Sequence, residues 1–305
     1  MHDNDIRLQL NMEMRNVGEF LFIGCEALYN TGEAILDYEI FNIFYNISVG
    51  IERIQKIILL LDENKIENNQ KKFLTQHNLE ILKSMIAEIH NVNFSKKENK
   101  IFNLLTDFYR NGRYNYIDEN FTDFNWSIKK LDAYLKSEKL PPLNRFFTQY
   151  SFSIDSKKSI ITSLSIILST YIKLLKKVSD ENNLYVLETQ SNFKLSIFYY
   201  GSLNKKGIFN YFEMADIAKN EIYYFFLKDS LETIDEDILT FFPPLEFDSA
   251  LIPDFLSEKT LFKVKWDMID TVEACYYDLY EDDIKKIEER KHFMLYLPEY
   301  ISQTI

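Results

Sequence analysis

The chain has 305 residues, of which 46% are hydrophobic and 15% aromatic, and this composition excludes an intrinsically disordered protein. With only 7 glycines and 6 prolines, it is too poor in turn residues for a β sandwich or a glycine-dependent nucleotide fold. A net charge of −12 argues against non-specific nucleic-acid binding, because phosphate binding relies on basic surface. We therefore expect an all-α protein in which any RNA contact uses a local basic patch.

The first half of the chain has the hydrophobic periodicity of amphipathic helices. The predicted helices cover about 13–30, 36–62, 70–91, 97–111 and 126–138. In the second of them, isoleucines recur at steps of three and four, which leaves Glu52, Arg53 and Lys56 off the apolar stripe. Gly112 is predicted to end the fourth helix, so that Arg113 lies beyond it.

Pro141 and Pro142 predict a division of the chain into a helical bundle, 1–140, and an aromatic-rich region, 141–305. That second region is acidic, since residues 151–305 hold 17 Lys and Arg against 26 Asp and Glu. Its predicted helices cover about 156–178, 207–228 and 267–290, and the segment 184–201 fits a small β-hairpin as well as a helix. The apolar stretch 159–175 is interrupted by Ser and Thr and reads as a buried helix, not a membrane span.

Several kinds of site find no support in the sequence. No glycine-rich phosphate loop is present, and the four histidines are scattered, so neither a cofactor nor a metal is expected. Cys25 and Cys275 have no pairing motif and are read as buried thiols in a reducing compartment. With no signal-peptide pattern at the start of the chain, we expect a cytoplasmic protein.

The richest local chemistry lies between Phe108 and Tyr116, where two arginines and three tyrosines fall within nine residues. Arg110 and Arg113 are so close together that they require anionic partners, which a phosphate or nearby carboxylates would supply. A second polar group, Arg53 and Lys56, lies upstream and reads equally well as ordinary surface charge. His77, near a predicted helix start, reads equally well as a capping or hydrogen-bonding residue.

Three segments together resemble the HEPN domain superfamily of helical prokaryotic proteins. They are the helix around Gly50-Ile51-Glu52-Arg53, the helix start His77-Asn78-Leu79, and the helix from Leu104 through Phe108-Tyr109 to Arg113-Tyr114. The resemblance covers about residues 15–120 and implies a helical bundle that often dimerises. In its nuclease branches, two copies of an Arg-polar-x3-5-His motif meet across the dimer interface and cleave RNA without metal.

This sequence departs from that motif, because Asn115 or Tyr116 stands where the histidine belongs, and neither transfers protons well at neutral pH. Three alternatives remain open. His77 reaches Arg110 and Arg113 in space, the arginines act by electrostatic stabilisation alone, or the site binds a phosphate and catalyses nothing.

These readings lead to one leading function and one alternative. We expect a HEPN-like protein of a defence or toxin–antitoxin system that acts on RNA at a dimeric, Arg-centred site, as a metal-independent endoribonuclease. The alternative is a non-catalytic module that senses a nucleotide or RNA, or a scaffold whose acidic region docks a partner protein. The catalytic candidates are Arg110, Arg113, Tyr116 and His77, and the RNA-binding candidates are Arg53, Lys56, Asn111 and Tyr114.

Overall fold

A computed structural model describes residues 3–32, 34–62, 71–112, 125–147, 149–183, 194–203, 207–227, 240–248, 250, 252–253 and 266–304. The chain divides into two compact units, unit 1 (Met1–Phe209) and unit 2 (Asn210–Ile305). The protein is mainly helical with one small antiparallel sheet, which confirms the predicted all-α class.

Seven helices and three strands are described in unit 1. The helices are α1 (Asp3–Asn30), α2 (Asp37–Leu61), α3 (Leu79–His90), α4 (Lys96–Asp107), α5 (Trp126–Ser137), α6 (Ile154–Glu181) and α7 (Lys194–Leu203). A 3-10 turn (Lys71–Thr75) precedes α3, and a π turn (Phe108–Gly112) follows α4. The strands β1 (Ala34–Ile35), β2 (Asn144–Phe146) and β3 (Gln149–Ser151) form a sheet of order β1-β3-β2.

Helix α2 is the central element of unit 1 and contacts α1, α3, α4, α5, α6 and the π turn. It begins after Leu36, whose backbone N–H donates a hydrogen bond of 2.7 Å to Glu39 Oε2 in the first turn. Of its 25 residues 14 are buried, and these include the polar Glu52 and Gln55 as well as the isoleucine stripe. Because buried side chains are closely packed, the positions of these side chains are restricted by the neighbouring helices.

The helices next to α2 are held by the caps that their sequences specify. The Asn78 side chain accepts hydrogen bonds from the backbone N–H groups of Glu80 and Ile81 and so fixes the start of α3. Ser95 and Glu98 form the predicted capping box of α4. At the other end of α3, His90 Nε2 lies 2.5 Å from Asp62 Oδ2, and this buried pair joins the ends of α2 and α3.

Gly24 allows α1 and α2 to pack closely. A Cβ atom at this position would lie 2.6 Å from Ile47 Cγ1 and 2.9 Å from the Ile43 carbonyl oxygen. Because both neighbours belong to the packed face of α2, we expect Gly24→Ala to lower the free energy of unfolding by about 1–3 kcal/mol. Urea denaturation measures the change, with Gly32→Ala as the matched control, since a Cβ there meets no atom within 4 Å. Equal stabilities of the two variants would contradict this account.

Helix α6 is long and apolar enough to cross a membrane, but half of its most apolar window is buried within the protein. It packs against α2, α4 and α7. Its Tyr171 is fully buried, and the hydroxyl accepts a hydrogen bond of 2.9 Å from Gln55 Nε2 of α2. This packing agrees with the reading of the segment as a core helix.

The structure differs from the sequence reading at three places in the second half. The division between units falls at Phe209/Asn210 and not at 140/141, because α6 and α7 pack against α1 and α2. Lys194–Leu203 is a helix, so the hairpin interpretation of 184–201 is wrong over its described part, and the observed hairpin is β2–β3. The single helix predicted over 267–290 is two helices, since Glu281 and Asp282 have left-handed backbones with φ of 48° and 63°.

Unit 2 contains α8 (Asn210–Leu227), α9 (Trp266–Tyr280) and α10 (Ile284–Thr304). A fully buried ion pair joins α8 to α10, with Arg290 Nε 2.6 Å from Glu221 Oε1 and Arg290 Nη2 2.7 Å from Glu221 Oε2. The sequence of unit 2 holds 22 acidic residues against 9 basic ones, whereas unit 1 holds 25 against 26. The net negative charge of the protein therefore comes entirely from unit 2.

Candidate functional site

A cleft of about 330 Å³ opens in unit 1 between α1, α2, the 3-10 turn, the start of α3 and the π turn. The apolar part of the lining consists of leucine, isoleucine and valine side chains. The polar lining residues are Glu13, Glu52, Arg53, Lys56, His77 and Tyr109. The cleft therefore gathers three residues that the sequence nominated, together with three that it did not.

Glu52 and His77 form a carboxylate–imidazole pair at the floor of the cleft. Glu52 Oε1 lies 3.2 Å from His77 Nδ1, and the Tyr109 hydroxyl lies 3.5 Å from the same nitrogen. The Glu52 side chain is 5% exposed and that of His77 is 48% exposed, so the pair runs from the core to the surface. A hydrogen bond from Nδ1–H to the carboxylate selects the tautomer in which Nε2 carries the lone pair. Nε2 makes no hydrogen bond with a described residue.

Lys56 links the same carboxylate to the 3-10 turn. Its ammonium forms an ion pair with Glu52 Oε1 one helical turn away and donates a hydrogen bond of 2.7 Å to the Leu74 carbonyl oxygen. Because Leu74 lies three residues before His77, this bond also positions the segment that carries the imidazole. Lys56 therefore balances the charge of Glu52 and fixes the geometry of the pair.

Arg53 lies at the mouth of the cleft and is 34% exposed. Its Nη1 forms an ion pair with Glu13 Oε2 of α1, and its guanidinium lies 5.3 Å from the centroid of the Phe20 ring. Among the described residues, its remaining N–H groups have no hydrogen-bond partner. A planar guanidinium with an unused edge is suited to bidentate contact with a phosphate.

The π turn directs Tyr109 into the cleft and the next residue out of it. Tyr109 is 7% exposed and its ring packs 5.9 Å from that of Tyr45. Turns of this type recur at functional sites. Gly112 at the end of the turn has no left-handed backbone, and a Cβ there would lie 2.8 Å from the Trp126 ring. Close packing, not the predicted helix cap, therefore requires glycine at this position.

The structure does not bring Arg110 to His77. Arg110 is exposed, does not line the cleft and makes no ion pair or hydrogen bond with a described residue. Asn111 Nδ2 donates to Asp107 Oδ1 at 3.2 Å, and Asp107 also pairs with Lys130. The candidates Arg113, Tyr114 and Tyr116 lie outside the described residues. The described cluster is thus centred on Arg53, Lys56 and His77.

Three members of the cluster were not nominated by the sequence. Glu52 was placed off the apolar stripe of its helix, yet it is buried, and its place in the Gly-x-Glu-Arg resemblance was the available signal. Tyr109 was read as part of an aromatic run. Glu13 lies 40 positions from Arg53, and no pattern in the sequence connects the two residues.

No protein-family model, curated protein or solved structure matches the chain. In the part of the chain that the structure describes, no three His, Cys, Asp or Glu side chains are grouped so that they could hold a metal ion. The chemistry of the cleft must therefore be inferred from its own residues.

Proposed function

We propose that the protein cleaves RNA without a metal ion at the cleft of unit 1, with His77 as the proton acceptor. The contact of 3.2 Å between Glu52 Oε1 and His77 Nδ1 carries this proposal, because it leaves Nε2 available in a half-exposed ring. A histidine oriented by a carboxylate is a standard general base near neutral pH.

The reaction follows from the placement of the charges. His77 Nε2 takes the proton of a ribose 2′-hydroxyl, and the resulting oxygen attacks the adjacent phosphorus. The bond from phosphorus to the 5′-oxygen breaks, and that oxygen takes a proton from the Lys56 ammonium. Arg53 stabilises the extra charge on the phosphoryl oxygens. The products are a 2′,3′-cyclic phosphate and a 5′-hydroxyl.

The charge distribution favours unit 1 as the RNA-binding unit. Its sequence is close to neutral, whereas unit 2 is strongly acidic and would repel phosphate. The proposal keeps the HEPN-like assignment, a homodimer, a cytoplasmic location and a role in a defence or toxin–antitoxin system as expectations. It moves the cationic centre of the site from Arg110 to Arg53 and Lys56.

The test is incubation of the purified protein with total RNA in excess EDTA. We expect cleavage to persist, and we expect Arg53→Ala to reduce its rate by about 10²-fold, as for the loss of one transition-state donor. Arg53 is partly exposed, so its removal leaves the fold intact. Arg145→Ala is the matched control, because Arg145 is exposed on β2, away from the cleft.

Two results would contradict the proposal. Intact RNA with the wild-type protein would show that the cleft is not a nuclease. Cleavage that is lost in Arg110→Ala but retained in Arg53→Ala would place the chemistry at the exposed arginine instead.

A second candidate function is a non-catalytic module that senses a nucleotide or RNA, or a scaffold that binds a partner protein. The observation in its favour is that Arg53 and Lys56 both already have intrachain carboxylate partners, Glu13 and Glu52. The acidic unit 2 would suit a basic partner protein. Nucleotide binding by calorimetry without any RNA cleavage would select this alternative.

A further inference from the structure

Apart from His77, the acidic and basic side chains that line the cleft are equal in number. Glu13 and Glu52 contribute two negative charges, and Arg53 and Lys56 contribute two positive ones. Most phosphate sites carry excess positive charge, which favours the more highly charged phosphate. The carboxylate of Glu13, which lies beside Arg53 at the mouth of the cleft, therefore requires a functional explanation.

Glu13 is placed where it does not prevent phosphate binding. It contacts only Nη1 of Arg53, and its other oxygen, Oε1, accepts a hydrogen bond of 3.4 Å from Asn16 Nδ2. The Arg53 guanidinium lies 5.3 Å from the centroid of the Phe20 ring, and Glu13 engages one of its nitrogens, Nη1. The N–H groups of Nε and Nη2 have no hydrogen-bond partner among the described residues. A phosphate on those N–H groups would have the Glu13 carboxylate as a near neighbour.

We infer that Glu13 is a specificity-determining residue, which makes the cleft select an internal phosphodiester over a terminal phosphate. This inference rests on the proposed function and names its substrate class. A phosphodiester carries one negative charge, whereas a terminal phosphate monoester carries close to two above pH 7. The Glu13 carboxylate repels the second negative charge of a monoester. A diester lacks that charge and so avoids this repulsion.

The size of the effect follows from Coulomb's law. For a carboxylate about 6 Å from the phosphate, at an effective dielectric constant of about 40, one additional negative charge weakens binding about tenfold. Removal of the Glu13 charge should therefore relax the selection by about the same factor.

The experiment compares two probes that differ by one methyl group and one negative charge, thymidine 3′-phosphate and its methyl ester, by isothermal titration calorimetry at pH 8. Neither probe has a 2′-hydroxyl, so binding is measured without cleavage. Relative to the wild-type protein, we expect Glu13→Gln to shift the ratio of the two dissociation constants about tenfold towards the monoester. Glu19→Gln is the matched control, since Glu19 is a half-exposed residue of α1 that pairs with Lys194 outside the cleft.

Each outcome decides a different point. A shifted ratio in Glu13→Gln with an unchanged ratio in Glu19→Gln supports the inference. Binding of both probes with the same ratio in the wild type and Glu13→Gln overturns the inference and leaves the proposed site in place. No binding of either probe at millimolar concentration overturns the phosphate site itself, and the inference with it.

Discussion

Replacing His77 with alanine is expected to lower the rate of RNA cleavage by about 10²- to 10⁴-fold, the range for loss of a general base. The imidazole has a ring nitrogen, Nε2, that makes no hydrogen bond with a described residue, and Glu52 orients the ring through Nδ1. The His77 ring is 48% exposed, so the substitution leaves the core of unit 1 unchanged. Single-turnover cleavage of a fluorescent RNA in EDTA measures the effect.

Two further variants make this result specific to the site. His292→Ala serves as the matched control, because His292 is exposed on α10 of unit 2 and packs against Tyr296. Glu52→Gln should also lower the rate, because the amide cannot accept from Nδ1–H with the strength of a carboxylate. A His77→Ala protein as active as the wild type would rule out the imidazole as the base.

Replacing Arg290 with alanine is expected to destabilise unit 2 by about 3–5 kcal/mol, the cost of leaving a buried charge without its partner. Arg290 and Glu221 are both 0% exposed, and two parallel N–H donations join them. The Tyr276 hydroxyl donates to Glu221 Oε1 at 2.6 Å, and the Pro243 carbonyl accepts from Arg290 Nη1 at 2.8 Å. Burial opposes the charged guanidinium, but the hydrogen bonds and charge of Glu221 raise the pKa of Arg290 above its usual value.

The measurement uses the two tryptophans of the protein, since Trp126 lies in unit 1 and Trp266 in unit 2. Chemical denaturation followed in variants that retain one tryptophan reports the unfolding of each unit. Lys285→Ala is the control, because Lys285 is an exposed residue of the same helix. Glu221→Leu combined with Arg290→Met should recover most of the stability, since apolar replacement of both partners leaves no unpaired charge. A fully stable Arg290→Ala protein would contradict this account.

The helices of unit 1 could be predicted closely because their signals are local. The isoleucine periodicity predicted α2, and Ser95 with Glu98 predicted the start of α4. The unit boundary could not be predicted from Pro141-Pro142, because a proline pair marks a turn whether or not a domain ends there. What keeps α6 and α7 in unit 1 is packing against α1 and α2, which involves residues more than 100 positions apart.

The candidate site was predictable only where its residues are marked by local sequence patterns, and not where distant segments pack together. Arg53, Lys56 and His77 were nominated by residue type and by local motif. The pairing of Glu13 with Arg53 and the burial of Glu52 depend on how α1 and the 3-10 turn pack on α2. The emphasis on Arg110 came from its sequence neighbours, but the π turn separates it from Tyr109 by directing the two side chains differently.

Helix α2 supplies both the structural centre of unit 1 and three of the polar residues of the cleft. Its tolerance of mutation should therefore be low at its 14 buried positions, because substitutions there would destabilise unit 1 as well as alter its chemistry. The mouth of the cleft is different, since Glu13 belongs to the half-exposed surface of α1. Sequence libraries aimed at new substrates should accordingly vary Glu13 and the exposed positions beside it, and hold α2 and the buried Met14 of α1 constant. In this architecture, substrate recognition can change at an exposed position of α1, while the reacting groups on α2 stay fixed.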